Sequence, residues 1–266
     1  MRRRVTPLGL MLALTFATGV VDAVGYLRLD GVFAGNMTGN VVILGMAATG
    51  GTGLPVLGPV VALVSILVGA AVAGRVLRTA APGWRRRCTG LLGGAGLVLA
   101  ATALGLAVTG AGAPGARALM ASSLALVMGV QAATARHLGV KDVTTVVVTS
   151  TLTGLAADSR LGAARRQGAP RRGAAVTLII VGAATGAALC QVHEGLAVVA
   201  AALVVLATSG LGHAFARSAE YEVAATTGSA TSPTSSSATV PSPGCAGGRA
   251  THTADPLFAQ QRKGRS

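Results

Sequence analysis

Acidic side chains are scarce in this sequence. Eight Asp and Glu stand against 22 Lys and Arg in 266 residues, and only 11% of positions carry a charge. Soluble domains run near a quarter charged, so a water-facing globule is excluded on composition. Cysteine is equally thin: Cys88, Cys190 and Cys245 are odd in number and lack a CxxC spacing, which argues against a disulfide or metal framework. The four histidines are scattered, with His137 and His193 at span ends, His213 inside a span and His252 in the tail. Nothing has the form of a P-loop, a zincin helix or a nucleophile elbow. GAGAPG, 110–115, fits GxGxxG by letter, but no strand precedes it and it reads as an external turn. Without paired acids, metal-ligand spacing or a nucleophile beside a base, the expectation is a non-enzyme with no cofactor and no metal.

What is abundant is apolar sequence. The chain is 52% hydrophobic with a mean hydropathy of +0.65, and charge-free runs such as 56–74 and 174–190 reach the length of a bilayer-spanning helix. The spacing predicts apolar segments at about 7–27, 32–54, 56–76, 90–110, 116–135, 143–157, 174–192 and 196–216. The opening MRRRVTPLGLMLALTFATGVV has the basic start of a secretory signal. Its apolar stretch is long and runs into Asp22 with no small-residue cleavage site, so a retained first span is expected. The net charge of +14 reads as topology rather than as a nucleic-acid surface, because the arginines gather in short runs between spans. From about 224 the composition turns to Ser, Thr and Pro. A membrane domain over 1–223 and a disordered tail over 224–266 are the expected division, with only a weak basic signal for anionic lipid at the end of the tail.

Loop charge decides the number of crossings. If all eight segments cross, Lys and Arg divide ten against eight between the two sides. If 32–54 and 143–157 dip in and return, sixteen fall on one side and only Arg28 and Arg117 on the other. That asymmetry is the one positive-inside topology requires, and it places both termini in the cytoplasm. Segment 143–157 is also short for a crossing. The fold expected is all-α and polytopic: six transmembrane helices plus two re-entrant or broken helices.

The two dipping segments share a short polar signature. NMTGN, 36–40, and STLTGL, 150–155, superpose on their Thr-Gly pairs, and the same offset lays 57–76 on 172–191. Pseudo-repeats at about 6–112 and 116–217 would then be inverted copies, the plan by which many transporters hold a site at the midplane. The two tips are expected to meet there, each roughly 10–15 Å from its own face. TGVVDAVGYLRLDGVFAGNMTGNVVILG, 18–45, followed by VTSTLTGLAAD, 148–158, resembles the YoaK-like family of bacterial membrane proteins over about 6–217. The resemblance implies a polytopic inner-membrane protein and brings no substrate or catalytic residue with it. The Ser/Thr/Pro tail departs from its usual pattern.

Asp22 is the one acid deep in an apolar segment, where a carboxylate needs a partner, water or a proton. Its functional reading is a proton or cation relay; its bland reading is a structural acid. Asn36 and Asn40 share a helix face, as Gly35 and Gly39 do, so the asparagines either line a polar path or bond across helices. Thr151 and Thr153 read the same way and lean to structure, since threonine bonds its own backbone. Gln131 corresponds to Asp22 only after a six-residue shift. Tyr26 and Trp84 sit near span ends as interface anchors do. The expected pathway is therefore Asp22, Asn36, Thr38, Gly39, Asn40, Thr151, Thr153 and Gly154. Its expected partners are the lipid bilayer, a small solute with proton coupling and a second copy of the chain, with no nucleic acid. The competing class is a scaffold or sensor acting through partner binding.

Overall fold

The computed structural model describes residues 7–50, 53–110, 112–139, 148–157 and 169–229. Among them the chain is helical: α1 (Pro7–Arg28), α2 (Met37–Ala47), α3 (Leu57–Leu77), α4 (Arg86–Thr109), α5 (Pro114–Leu138), α6 (Val148–Ala157), α7 (Ala169–Val192) and α8 (Glu194–Ser229). The chain divides between Ala225 and Thr226, and the helix packing belongs to the first unit, Met1–Ala225. The tail expected from 224 lies, beyond Ser229, outside the described residues, as do 143–147 of the sixth apolar segment.

Six helices are long and apolar enough to span a bilayer: α1, α3, α4, α5, α7 and the Glu194–Ser218 part of α8. α2 has 11 residues and α6 has 10, about 16 and 15 Å, roughly half of a hydrocarbon core. Neither crosses by itself. Burial separates the six. About two thirds of the α1 window and over half of the α5 window are buried, whereas α3 and α7 bury 22% each. α1 and α5 are the inner pair, and α3 and α7 are laid on their outside, with Val64, Leu67, Val72, Ile180 and Val181 turned outward.

The main packing pairs cross between the halves: α7 on α1, and α3 on α5. Both use bare backbone, as membrane helices do when side-chain burial in lipid gains little. A Cβ on Gly19 would strike the Ile179 carbonyl and Ala183 nitrogen; one on Gly129 would strike the Ile66 carbonyl and Ala70 nitrogen. From the other side, Gly182 faces the Phe16 carbonyl and Gly69 faces the Leu126 carbonyl. A shift of 110 positions carries Phe16 and Gly19 onto Leu126 and Gly129, and 113 carries Ile66, Gly69 and Ala70 onto Ile179, Gly182 and Ala183. The register of the two pairs is the same contact for contact. This differs from the common offset read from the Thr-Gly pairs, because those pairs occupy different places. Gly39 is the third residue of α2, and Gly154 is the seventh of α6. The sequence signal that matches the packing is ILVGAA, 66–71, against IIVGAA, 179–184.

The connection from α1 to α3 leaves and returns at one end. Asp30 and Gly31, both at positive φ, reverse the chain after α1. The Val32 amide then bonds the Gly25 carbonyl at 3.2 Å, so the loop runs back along its own helix. α3 begins beside that turn, with Gly58 against the Val32 side chain. Arg117 at the head of α5 pairs with Asp30 at 2.9 Å, and Arg28 pairs with Glu194 at 3.7 Å. This end therefore holds two arginines and two acids in pairs. The opposite end holds the other nine described arginines: Arg75, Arg78, Arg85–Arg87, Arg136, Arg171, Arg172 and Arg217.

Candidate functional site

The fold-back loop is the most polar place inside the bundle. Asp22 is 6% exposed and faces the loop rather than open space. Its Oδ1 accepts the Gly35 amide at 2.7 Å, and its Oδ2 accepts the side-chain amide of Asn36, the residue just before α2. An acceptor-only group at a helix start meets unpaired N–H groups and the positive end of the peptide dipoles. Gly35 is required by the fit, since a Cβ there would lie 2.8 Å from the Thr18 methyl and 3.5 Å from the carboxylate.

Asn40 closes the other side of the loop. It is fully buried; its Oδ1 accepts the Phe33 amide at 2.9 Å, and its Nδ2 donates to the Phe33 carbonyl at 2.6 Å. The Phe33 ring lies over Gly39, where a Cβ would be 2.6 Å away, and against Tyr26 with centroids 5.2 Å apart. A loop carbonyl and amide with no ladder to join are satisfied by one side-chain amide. Sequence reasoning placed Asn40 on a pathway; the structure uses it to tie the loop. The missing signal was the reversal at Asp30, which turns residues 32–36 back against α1.

Among the eight residues expected to form one pathway, Asp22, Asn36, Gly39 and Asn40 come together around this loop. Thr38 is exposed. Thr151, Thr153 and Gly154 sit at the arginine end on α6, with Thr153 exposed and Gly154 under the Arg172 guanidinium, 2.7 Å from a Cβ placed there. Among the described residues α2 packs on α3 and α6 on α7, not on each other. The tips do not meet at the midplane, because each short helix is held at its own end by the helix that follows it.

Gln131 is not the twin of Asp22: the shift of 110 carries Val21 onto Gln131 and Asp22 onto Ala132. Gln131 is 1% exposed at the crossing of α1 and α5, donates to Thr18 Oγ1 at 2.9 Å and to the Leu14 carbonyl at 3.2 Å, and leaves Oε1 without a partner. Thr18 turns its hydroxyl to Gln131 and the Leu14 carbonyl and its methyl to Gly35.

Beside Asp22 lies a cavity of about 510 Å³ between α1 and α7. Asp22, Asn36 and Tyr26 are its polar groups, and Gly19, Ala23, Phe33, Ile179 and Ala183 give it apolar walls. Asp22, though bonded to the loop, lies on the cavity wall. A pocket with one acid, one amide, one phenol and otherwise apolar walls can hold a small molecule by its cationic or N–H-donating end.

Six spans, two short helices and a polar loop buried at one end define a multi-pass helical membrane protein. The family described as a protein of unknown function (DUF1275) matches residues 10–211, and the chain belongs to that family. It is also similar to the UPF0700 transmembrane protein YoaK of Bacillus subtilis (strain 168), with 31% identity over 153 residues. That match covers 56% of this chain and 65% of the relative, just under two thirds of its length. No solved structure matches.

Proposed function

We propose that the protein is a small-solute transporter or channel of the bacterial inner membrane, with Asp22 as the group that binds the solute or exchanges a proton. The observation that carries this reading is the position of Asp22: a buried acid, bonded to the residue that precedes a short helix, on the wall of a cavity of about 510 Å³. Buried acids in spans mark ion and proton pathways more often than they serve packing. The cavity lining favours a solute with an apolar body and a cationic or N–H-donating end. The matched contacts of α1 on α7 and α5 on α3 support an inverted repeat, in which rocking of one pair against the other would alternate access. Nine arginines at the opposite end support a cytoplasmic face there, with the N-terminus on the same side.

Proton coupling would pass through few groups. Around Asp22, α7 contributes Ile179, Ile180, Ala183 and Ala187 to the cavity, the loop contributes Asn36, and Tyr26 is the one other titratable side chain on its wall. The test is proton flux in proteoliposomes loaded with a pH dye and challenged with a panel of small amines and amino-acid amides. At least one solute should drive flux in the wild type, and Asp22→Asn should lose it while eluting as a folded monodisperse protein. Flux that Asp22→Asn leaves intact would remove Asp22 from the mechanism. A panel that neither drives flux nor raises the melting temperature would favour a scaffold.

A further inference from the structure

The cavity at Asp22 has a twin. Between α3 and α5, at the arginine end, lies a second cavity of about 680 Å³ lined by Ala70, Gly74, Leu77, Arg78, Ala80, Ala132, Ala133, Arg136 and His137. The shift of 113 carries Ala70 and Gly74 onto Ala183 and Ala187 of the first cavity, and the shift of 110 carries Asp22, Ala23, Tyr26 and Leu27 onto Ala132, Ala133, Arg136 and His137. The groove is the same; its chemistry is reversed. Where one has an acid and an aromatic rim, the other has small apolar walls and a basic rim.

Three features specify what fits. Arg78 follows the last residue of α3, and Arg136 and His137 lie in the last turn of α5, where the C-terminal carbonyls favour cations. No acid lines the cavity, and no described ion pair engages Arg78 or Arg136, whereas Arg28 and Arg117 at the other end are paired. His137 lines the cavity, and its Nε2 is buried without a partner. Below this rim the walls are Ala, Gly and Leu, and the adjoining flank of α3 exposes Leu67 and Val64 to the surroundings. An oxyanion at the rim with an apolar continuation below is the shape of a phospholipid.

We propose that the α3/α5 cavity binds the phosphate of an anionic phospholipid from the leaflet at the arginine end, through Arg78, Arg136 and His137. The acyl chains lie along the exposed Leu67 and Val64 of α3. This assignment stands apart from the transport reading, since it concerns the other groove and a lipid that is not carried.

The test is native mass spectrometry of the full chain released from nanodiscs of phosphatidylcholine doped with phosphatidylglycerol, alongside thermal shift with the same lipids and with soluble glycerol phosphate. Phosphatidylglycerol adducts should persist on the wild type and fall about tenfold or more in Arg78→Gln/Arg136→Gln, as removal of two surface cations predicts. Arg217→Gln, away from the cavity, should leave them unchanged. Equal adducts in both variants and the wild type would overturn the proposal. A thermal shift from glycerol phosphate with none from the lipid would also overturn it, in favour of a soluble phosphate-bearing solute. A second arm needs no variant: phosphatidylglycerol bearing a photoreactive headgroup should label peptides 70–80 and 132–139 of the wild type. Labelling spread evenly over the 85–87 and 171–172 arginines would overturn the assignment.

Discussion

The α1/α7 and α3/α5 pairs are built on one backbone contact and do opposite things with it. Each sinks a glycine of the inner helix onto a carbonyl of the outer one, Gly19 on Ile179 and Gly129 on Ile66, and each leaves a cavity beyond that contact. The cavities diverge because a few rim positions differ: Asp22 against Ala132, Tyr26 against Arg136, Leu27 against His137. The acid also decides the loop. Where Asp22 is present, residues 33–36 fold back and bond to it; an alanine in its place has no acceptor to offer. Backbone packing thus fixes where a cavity forms, and a few side chains fix what enters it.

The strongest way to break this comparison is at the shared contact. Gly19→Val and Gly129→Val each drive a side chain into a main-chain carbonyl that has no rotamer to escape to. Each should cost about 3 kcal/mol or more, at or beyond the upper range for overpacking, and abolish monodisperse protein in fluorescence-detected size exclusion. If only one of the two fails, the pairs are not equivalent. Next in size are the loop ties. Asp22→Ala strands the Gly35 amide and the Asn36 side chain, and Asn40→Ala strands both polar groups of Phe33, so each should lower stability by about 1–3 kcal/mol in a thermal melt. Ala132→Ser, at the twin position, should not. The smallest effect belongs to Thr38→Val and Thr153→Val. Both positions are exposed, and both variants should stay within about 0.5 kcal/mol of wild type with solute flux unchanged. A lost flux in either would restore that threonine to the pathway.

Much of the architecture was legible in the sequence because it rests on length and charge. Apolar runs gave the six spans, and the imbalance of sixteen basic residues against two pointed to short helices that do not cross. That Asp22 needs a partner was legible too, since a polar group in an apolar run must find one, and Asn36 is one of its partners. The matched helix contacts were not legible at the offset the Thr-Gly pairs suggested. A Thr-Gly pair attracts notice as polar, while ILVGAA and IIVGAA pass as ordinary span sequence, yet close helix contact is made by small residues and backbone. The role of Asn40 was not legible, because one positive-φ turn at Asp30 and Gly31 determines which backbone groups it meets. The second cavity was hidden for a related reason: arginines at span ends are fully accounted for by topology until two helices are seen to part beside them.

The cross-pairing of halves has a consequence for synthesis. α1 is made first, yet its main partner α7 is made seventh, and α3 waits for α5. Until the second half emerges, the glycine faces of α1 and α3 have no carbonyl or small-residue partner, and the nascent first half must rest on lipid or on a chaperone. Cutting the chain in the turn between Thr109 and Pro114 would therefore give two fragments of which neither is stable by itself. Co-expressed, they should find each other, since every major contact runs between them and not within either one.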